Sequence, residues 1–208
     1  MFIFNRTTTL NRNRLMEATM ASVEVAGLVT RITGVGVNVF ATLFGDTGNT
    51  LSWSCRADTQ AELGEMTAKL NGNEEYLAWA LANSEMYESA VTDQLSAVIS
   101  STMTAEPKRY YTVLTAQAAA GKWADAVAFG VKAQQLVADK TGLATGFMTG
   151  VYGAYGTVGW LTGADTMADL DTLWSMQMGD ADYHALVADA GPLFIETSGN
   201  TRLIEKLN

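Results

Sequence analysis

A stretch of this chain recurs at a distance of 107 residues. The triplet Ala57-Asp58-Thr59 reappears as Ala164-Asp165-Thr166, and the same shift aligns residues 57–87 with residues 164–194 without a gap. Eight of these 31 positions are identical, whereas roughly two are expected from ordinary residue frequencies. Self-similarity at a fixed spacing indicates a chain built from copies of one supersecondary unit. We therefore interpret the sequence as a tandem duplication.

The same shift also matches aromatic residues upstream of the triplet. It superposes Trp53 on Trp160 and Phe40 on Phe147. The segment Glu106-Pro107-Lys108 has the composition of a linker. We therefore expect one domain in residues 1–105 and a second in residues 106–208.

Each repeat has the pattern of a strand, a long helix, a hairpin, two helices and a closing strand. Apolar periodicity marks the long helix, Gly34 is a C-cap candidate, and Asp58 or Thr59 is an N-cap candidate. A turn at residues 45–49 separates the hairpin strands, and Gly72 and Gly179 interrupt the later helices. In the first repeat we predict strands at residues 2–10, 35–44, 50–57 and 94–103, and helices at 11–32, 59–70 and 74–87. In the second we predict strands at residues 109–115, 143–152, 157–163, and 195–197 with 201–206, and helices at 119–140, 165–178 and 180–190.

Composition narrows the function classes. The formal net charge is -9 and the pI is near 4.5, and such a surface repels a phosphate backbone, so we expect no nucleic-acid partner. Cys55 is the only cysteine, which excludes intrachain disulfides and zinc sites of several cysteines. We expect Cys55 to be a buried, unreactive thiol. No apolar run approaches a membrane span, and the N-terminus lacks the pattern of a signal peptide, so we predict a soluble cytoplasmic protein.

The order of these elements resembles the dimeric α/β-barrel (ferredoxin-like) superfamily. The resemblance rests on the long first helix, the glycine-containing hairpin, the helix that follows Ala-Asp-Thr, and the Gly179-Asp180-x-x-Tyr183 helix that ends near Gly191-Pro192-Leu193-Phe194. It is closest to NIPSNAP-like and antibiotic-biosynthesis-monooxygenase-like members. It implies an α+β fold of tandem ferredoxin-like repeats, βαββααβ twice, with antiparallel sheets packed as an α/β barrel. It leaves open whether the barrel closes within one chain or between two chains, and it implies association into a homo-oligomer.

The resemblance also implies a cavity between sheet and helices. Cofactor-free monooxygenases of this superfamily position an aromatic substrate there with Trp, Asn, Tyr or Arg side chains. Asn38, Trp53 and Arg56 are the matching candidates in the first repeat. In the aligned second repeat Asn38 becomes Thr145 and Arg56 becomes Gly163. Tryptophan is equally suited to filling a core, so both interpretations of Trp53 stay open.

Three aromatic residues of the second repeat are candidates for ligand binding. Trp160 is the counterpart of Trp53, and Tyr152 and Tyr155 flank Gly153 in the second hairpin. Tyrosines on a glycine-rich turn can border a cavity, dock on a partner or simply cover the end of a sheet.

His184 is the only histidine of the chain. Haem proteins of the same superfamily use an axial histidine, so the resemblance makes His184 a haem ligand if haem is present. A surface or structural role is the alternative. A metal site built from several histidines is excluded, and we predict no metal and no cofactor.

Two function classes follow. One is a protein that acts mainly through homo-oligomeric assembly or through binding a small apolar ligand, with no assignable catalysis. The other is a cofactor-free, monooxygenase-like enzyme for a small aromatic or apolar substrate. An enzyme should have a cavity of a few hundred Å3 with convergent polar groups, whereas an assembly protein should have a filled interior.

Overall fold

The computed structural model describes residues 1–46 and 48–208, and within them the chain has a mixed α+β fold. It divides into two compact units. The first contains Met1–Leu95 and Glu205–Asn208, and the second contains Ser96–Ile204. The prediction of separate domains at 1–105 and 106–208 stays a prediction.

The first unit is a sheet covered by helices. Strands β1, β3 and β2 are neighbours in that order and antiparallel, and Arg6 of β1 pairs with Trp53 of β3. The end of the chain lies beside β2, where the Leu207 amide donates to the Val39 carbonyl across 2.9 Å. The elements are β1 (Phe2–Thr9), α1 (Leu15–Thr33), β2 (Val37–Phe44), β3 (Thr50–Ala57), α2 (Gln60–Asn71), α3 (Glu74–Ala82) and the start of β4 (Thr92–Ser101).

The second unit has the same order of elements. Strands β5, β7 and β6 are neighbours and antiparallel, and Leu114 of β5 pairs with Trp160 of β7. The end of β4 leads beside β6, where the Thr102 amide donates to the Thr145 carbonyl across 2.8 Å. The elements are β5 (Tyr110–Gln117), α4 (Trp123–Thr141), β6 (Ala144–Tyr152), β7 (Thr157–Ala164), α5 (Met167–Gly179), α6 (Ala181–Ala188) and β8 (Asn200–Lys206).

Local sequence signals set the helix ends. Thr59 and Thr166 are N-caps, and each forms a capping box with the acidic residue three positions later, Glu62 or Asp169. Such boxes satisfy two of the unpaired N–H groups at a helix start. Gly34 ends α1 in the left-handed conformation with φ of 80°, as its predicted C-cap role requires.

The core of each unit lies between its sheet and its helices. In the first unit, Val25 and Val29 of α1 pack with Cys55 of β3 and with Met66 and Leu70 of α2. In the second unit, Val127 and Val131 of α4 pack against the buried strand residues Ala116, Phe147 and Val158, and Trp160 and Phe194 pack against the same cluster. A sheet face covered in this way explains why β2 and β3 carry apolar residues at every second position.

Strand register corrects the sequence alignment upstream of β3. Trp53 pairs with Val39, and Trp160 pairs with Phe147. The counterpart of Phe147 is therefore Val39, and the superposition of Phe40 on Phe147 was wrong by one residue. The hairpin between β2 and β3 has one residue more than the hairpin between β6 and β7, so the spacing between units is 108 residues before it and 107 after it.

Other corrections concern element ends. The third helix of the first unit ends at Ala82 rather than at residue 87, because Asn83 ends it and a 3-10 turn (Ser84–Met86) follows. Residues 195–197 are not a strand, since Thr197 has a φ of 68° and β8 begins only at Asn200. Of the predicted turn at 45–49, Thr47 lies outside the described residues.

Across the described ranges, no helix is both long enough and apolar enough to cross a membrane. Cytoplasmic location stays a prediction.

Candidate functional site

The first unit contains a cavity of about 300 Å3 between its sheet and its helices, here called the first cavity. Strands β1 and β3 supply its floor, and helices α1, α2 and α3 supply its walls. This volume lies at the lower end of the range of small-molecule sites, about 300–1,000 Å3. The residues used below that line it are Phe4, Arg6, Val25, Val29, Trp53, Cys55, Met66, Thr67, Leu70, Asn71, Tyr76, Trp79, Ala80 and Tyr87.

Arg6 is the cation of the first cavity. Its Nε and Nη2 each donate to one oxygen of Asp93 across 2.7 Å, which fixes the guanidinium plane. The hydrogen bond to Asp93 raises the pKa of Arg6, against the opposing effect of burial, and the Tyr76 phenol adds a smaller hydrogen-bonding contribution. Two of the five N–H donors of arginine are used by Asp93, so the side chain keeps donors that a ligand oxygen can use.

Trp79 carries an unused donor beside the same space. Its Nε1 is buried and has no hydrogen-bond partner, and it is the one buried side-chain N or O atom in the described part of the chain in that condition. A buried donor without a partner costs about 1–3 kcal/mol, so native proteins rarely keep one without a reason. Because Trp79 lines the first cavity, an acceptor atom on a ligand is the simplest partner.

Trp53, by contrast, has its polar atom engaged. Its Nε1 donates to the Ser22 carbonyl of α1 across 2.9 Å. The Tyr87 ring meets Trp53 edge-on at 5.8 Å, and its hydroxyl lies 3.3 Å from the Ser22 hydroxyl. Burial raises the pKa of Tyr87. Trp53 therefore offers a ligand its ring face and no hydrogen bond.

Cys55 is buried beside Trp53, as the sequence predicted. Burial raises the pKa of its thiol to about 11. At neutral pH the group is a protonated, weakly nucleophilic thiol.

The second unit has a cavity at the corresponding place, also of about 300 Å3, here called the second cavity. None of the described residues that line it is charged. The register puts Leu114 where the first unit has Arg6, and Phe194 packs on Trp160 at 5.8 Å as Tyr87 packs on Trp53. The two cavities therefore have similar volumes and matched aromatic positions, and they differ in charge.

The structure separates the predicted set Asn38, Trp53 and Arg56. Trp53 lines the first cavity, but Asn38 and Arg56 do not. Asn38 pairs with Ser54, and Ser54 and Arg56 alternate with Trp53 and Cys55 along β3. Successive residues of a strand face opposite sides, so Asn38 and Arg56 belong to the other face of the sheet. Because they do not line the first cavity with Trp53, their role together with Trp53 stays a prediction.

The candidates of the second unit are also scattered. Trp160 lines the second cavity. Tyr152 and Tyr155 lie at the far end of the second hairpin and are 63% and 98% exposed, away from both cavity linings. His184 is exposed on α6, and its Nε2 lies 2.8 Å from the Gln177 carbonyl oxygen. The described residues contain no group of three His, Cys, Asp or Glu side chains that could hold a metal ion.

Sequence reasoning missed Arg6, Tyr76, Trp79 and Tyr87. A signal for Arg6 was present, because Phe2, Phe4, Arg6 and Thr8 alternate along β1, which places a charge on the strand face that carries aromatic residues. Nothing local distinguished Trp79, because an unsatisfied indole is visible only once the helix is packed.

No protein-family model matches the chain, and no curated protein sequence matches it. Solved structures do share its fold. A provisionally assigned monooxygenase from Fusobacterium nucleatum superposes with a TM-score of 0.72 at 7% identity, over 100% of this chain and 92% of that one. An anthrone oxidase-like protein has a TM-score of 0.71 at 13% identity, over 100% and 91%. A mutant chlorite dismutase from Candidatus Nitrospira defluvii has a TM-score of 0.53 at 12% identity, over 99% and 91%.

These identities are low, so the likeness concerns the fold. A shared fold hosts many functions, and function has to be argued from the site. The fold is the one that monooxygenase-like and chlorite dismutase-like proteins have.

Proposed function

We propose that this chain is a cofactor-free, monooxygenase-like enzyme that oxidises a small aromatic compound in the first cavity. One observation carries the proposal. A cation, Arg6, and a residue with an unpartnered buried donor, Trp79 with its Nε1, both line one largely apolar cavity. A cavity with convergent polar groups favours an enzyme over an assembly protein with a filled interior.

The residues that line the first cavity indicate which class of ligand it would bind. Val25, Val29, Met66 and Leu70 supply aliphatic surface, and Trp53 supplies a ring face. Such surfaces favour a flat, apolar ring system. Arg6 and Trp79 favour an oxygen on that ring system, and Arg6 favours it most when it carries negative charge.

The same groups suit oxidation by dioxygen. An anthrone-type compound has an acidic ring CH2 that loses a proton to a base in the solvent and leaves an enolate, whose oxygen Arg6 would stabilise. The electron-rich carbon then reduces O2. Overall the CH2 group and one O2 become a ring C=O and one H2O, so carbon loses four electrons and O2 gains four. One of the neighbours by fold is an anthrone oxidase-like protein, which makes anthrone a reasonable first substrate.

The test is oxygen uptake and quinone absorbance with anthrone and purified protein. Arg6→Leu, paired with Asp93→Asn to avoid leaving a bare carboxylate, should lower the rate at least about tenfold, the effect of losing one charge-assisted hydrogen bond. Leu114→Ala at the matching position of the second unit is the control and should leave the rate unchanged. Equal rates in wild type and both variants would contradict the proposal.

Haem chemistry through His184 has less support. The side chain is exposed and already contacts the Gln177 carbonyl, and it does not line the second cavity. An absorbance spectrum decides the question, because a Soret band in the purified protein that His184→Ala removes would restore haem ligation.

We also infer that the two units descend from one duplicated, ferredoxin-like sequence. Paired contacts support the inference. Trp53 and Trp160 each donate an indole N–H to the long helix of their own unit, to Ser22 and Gly130. We also propose that the chain is related to the NIPSNAP-like or antibiotic-biosynthesis-monooxygenase-like members of the dimeric α/β-barrel superfamily.

Homo-oligomeric assembly is the second candidate function, and one observation favours it. On α5, Trp174 and Met178 are 63% and 60% exposed. The matching α2 positions are Thr67 and Asn71. Tryptophan and methionine are enriched in protein interfaces, and exposed apolar patches often mark them. We propose that α5 contacts a second copy of the chain.

Light scattering after size exclusion tests this surface. Trp174→Glu should shift an oligomer toward the monomer, and Thr67→Glu on the matching helix should not. A wild-type chain that is monomeric at all concentrations would rule out assembly without affecting the oxygenase proposal.

A further inference from the structure

We infer that the second cavity is a separate binding site for an uncharged aromatic compound. Its volume is about 300 Å3, the same as that of the first cavity. Apolar cavities of only about 150 Å3 take up a benzene-sized molecule, and protein interiors are otherwise close-packed. A space of this size is therefore large enough for a fused ring system.

One wall of the second cavity is a cluster of three aromatic rings. Phe129 meets Trp160 at 6.3 Å and Phe194 at 5.7 Å, both edge-on, and Trp160 meets Phe194 at 5.8 Å. Leu114 and Leu173 line the same space. Rings arranged in this way accept a further ring by edge or face contact, so the wall selects an aromatic ligand.

Several polar side chains around the cavity are already paired with each other or with the backbone. Gln134 Nε2 donates to the Thr145 hydroxyl across 2.7 Å, and Gln134 Oε1 accepts from the Ser100 hydroxyl. Trp160 Nε1 donates to the Gly130 carbonyl across 3.0 Å. Burial raises the pKa of the Tyr183 phenol, and the Gln177 side chain opposes that rise.

The uncharged lining of the second cavity favours an uncharged ligand. An ion that left water for this cavity would meet no counter-charge, and burying a charge without a partner is strongly unfavourable. A neutral ring loses little hydration on entry and gains contact with the aromatic wall. The second cavity should therefore accept naphthalene and reject 2-naphthoate, whereas Arg6 lets the first cavity accept the anion.

Matching positions allow each cavity to be filled separately. The Asn73 side chain caps α3 by accepting the Tyr76 amide N–H, and the Asp180 side chain caps α6 by accepting the Tyr183 amide N–H, each across 2.9 Å. Ala80, four residues after Tyr76, lines the first cavity, and Val187, four residues after Tyr183, lines the second. Val187→Trp should block the second cavity, and Ala80→Trp is its matched control in the first.

The experiment is calorimetric titration of the full chain with naphthalene and with 2-naphthoate. For naphthalene, Val187→Trp should remove one binding equivalent or weaken that event at least tenfold, and the equivalent should persist in Ala80→Trp. Binding of 2-naphthoate should be unchanged by Val187→Trp. Naphthalene binding that is absent in wild type, or that survives in Val187→Trp and disappears in Ala80→Trp, would overturn the inference.

A second variant guards against misfolding. Leu173→Phe fills the same cavity with a smaller change in volume, and thermal unfolding shows whether either variant remains folded. Loss of 2-naphthoate binding in Arg6→Leu reports on the first cavity alone. Failure of the oxygenase proposal and failure of the second site are therefore separate results.

Discussion

Gly130 lies against the ring of Phe147 so closely that a Cβ at residue 130 would lie 2.2 Å from Phe147 Cε2. Phe147 is completely buried, so the ring has little room to retreat. The first unit has the opposite arrangement of sizes, with Ser22 on the helix and Val39 on the strand. The larger strand residue of the second unit requires the absence of a side chain on α4.

Gly130→Ala should therefore destabilise the protein despite the better helix propensity of alanine. Overpacking costs about 1–3 kcal/mol, and the propensity gain of about 1 kcal/mol offsets only part of it. Gly27→Ala is the control, because that glycine is exposed on α1 with nothing within 4 Å of its added Cβ. Urea unfolding should show a loss for the first variant and a gain of about 0.5–1 kcal/mol for the second.

Phe147→Val should rescue Gly130→Ala. The double variant recreates the small strand residue of the first unit and removes the clash, so its effects should be strongly non-additive. Additive losses would show that the Gly130 effect has another origin.

The capping boxes at Thr59 and Thr166 give a second prediction. Each threonine hydroxyl accepts the amide N–H of its partner acid, across 3.2 Å in the first unit and 3.3 Å in the second. Thr59→Ala and Thr166→Ala should each lower the free energy of unfolding by about 1 kcal/mol. Thr67→Ala, exposed within α2, should change it by less than about 0.5 kcal/mol.

Asp180 should make the free energy of unfolding depend on pH in the acidic range. Its carboxylate accepts from Lys140 Nζ across 2.9 Å and caps the Tyr183 amide, and the Lys140 hydrogen bond is the main cause of its lowered pKa. Because the folded pKa is below the unfolded one, the stabilisation is present at neutral pH and is lost as pH falls through the folded pKa.

Asp180→Asn keeps a capping oxygen and removes the charge. Urea unfolding should show the variant less stable than wild type at pH 7, with the difference shrinking in acid as the wild-type carboxylate becomes protonated. The matching cap of the first unit, Asn73, is already uncharged. Asn73→Ser should therefore have the same effect at pH 7 and in acid.

Local rules explain what the sequence predicted well. Strand β3 has the predicted bounds, and Gly34 and Thr59 cap their helices as expected. Capping and alternation depend on a few neighbouring residues, so they can be recognised without the fold. The mixed α+β class follows from the order of these elements.

The candidate site could not be predicted in the same way. Trp53 was found because it is bulky and matched in both repeats, but Asn38 and Arg56 were chosen by residue type, without the strand register. Arg56 is three residues from Trp53 and lies on the other face, whereas Arg6 is distant in sequence and pairs with Trp53 across the sheet. The extra hairpin residue also shifted the alignment of β2, which no local pattern reveals.

Cys55 gives the last prediction, because its thiol lines the first cavity and can report on occupancy. With its pKa raised to about 11, the thiol is almost fully protonated at pH 8 and should react slowly with a maleimide in the folded protein. Its rate should rise toward pH 11 and should reach the ordinary value for cysteine, whose pKa is about 8.5, once urea unfolds the chain.

Ligands should then protect each cavity selectively. Thr162 is buried in the second unit at the position that matches Cys55, and it lines the second cavity. In a Cys55→Ser background, Thr162→Cys installs the same reporter there. 2-Naphthoate should slow maleimide labelling of Cys55 in wild type and leave the reporter at 162 unaffected, because only the first cavity has a cation. Naphthalene should slow the reporter at 162, and equal protection of both thiols by the anion would show that Arg6 does not select for charge.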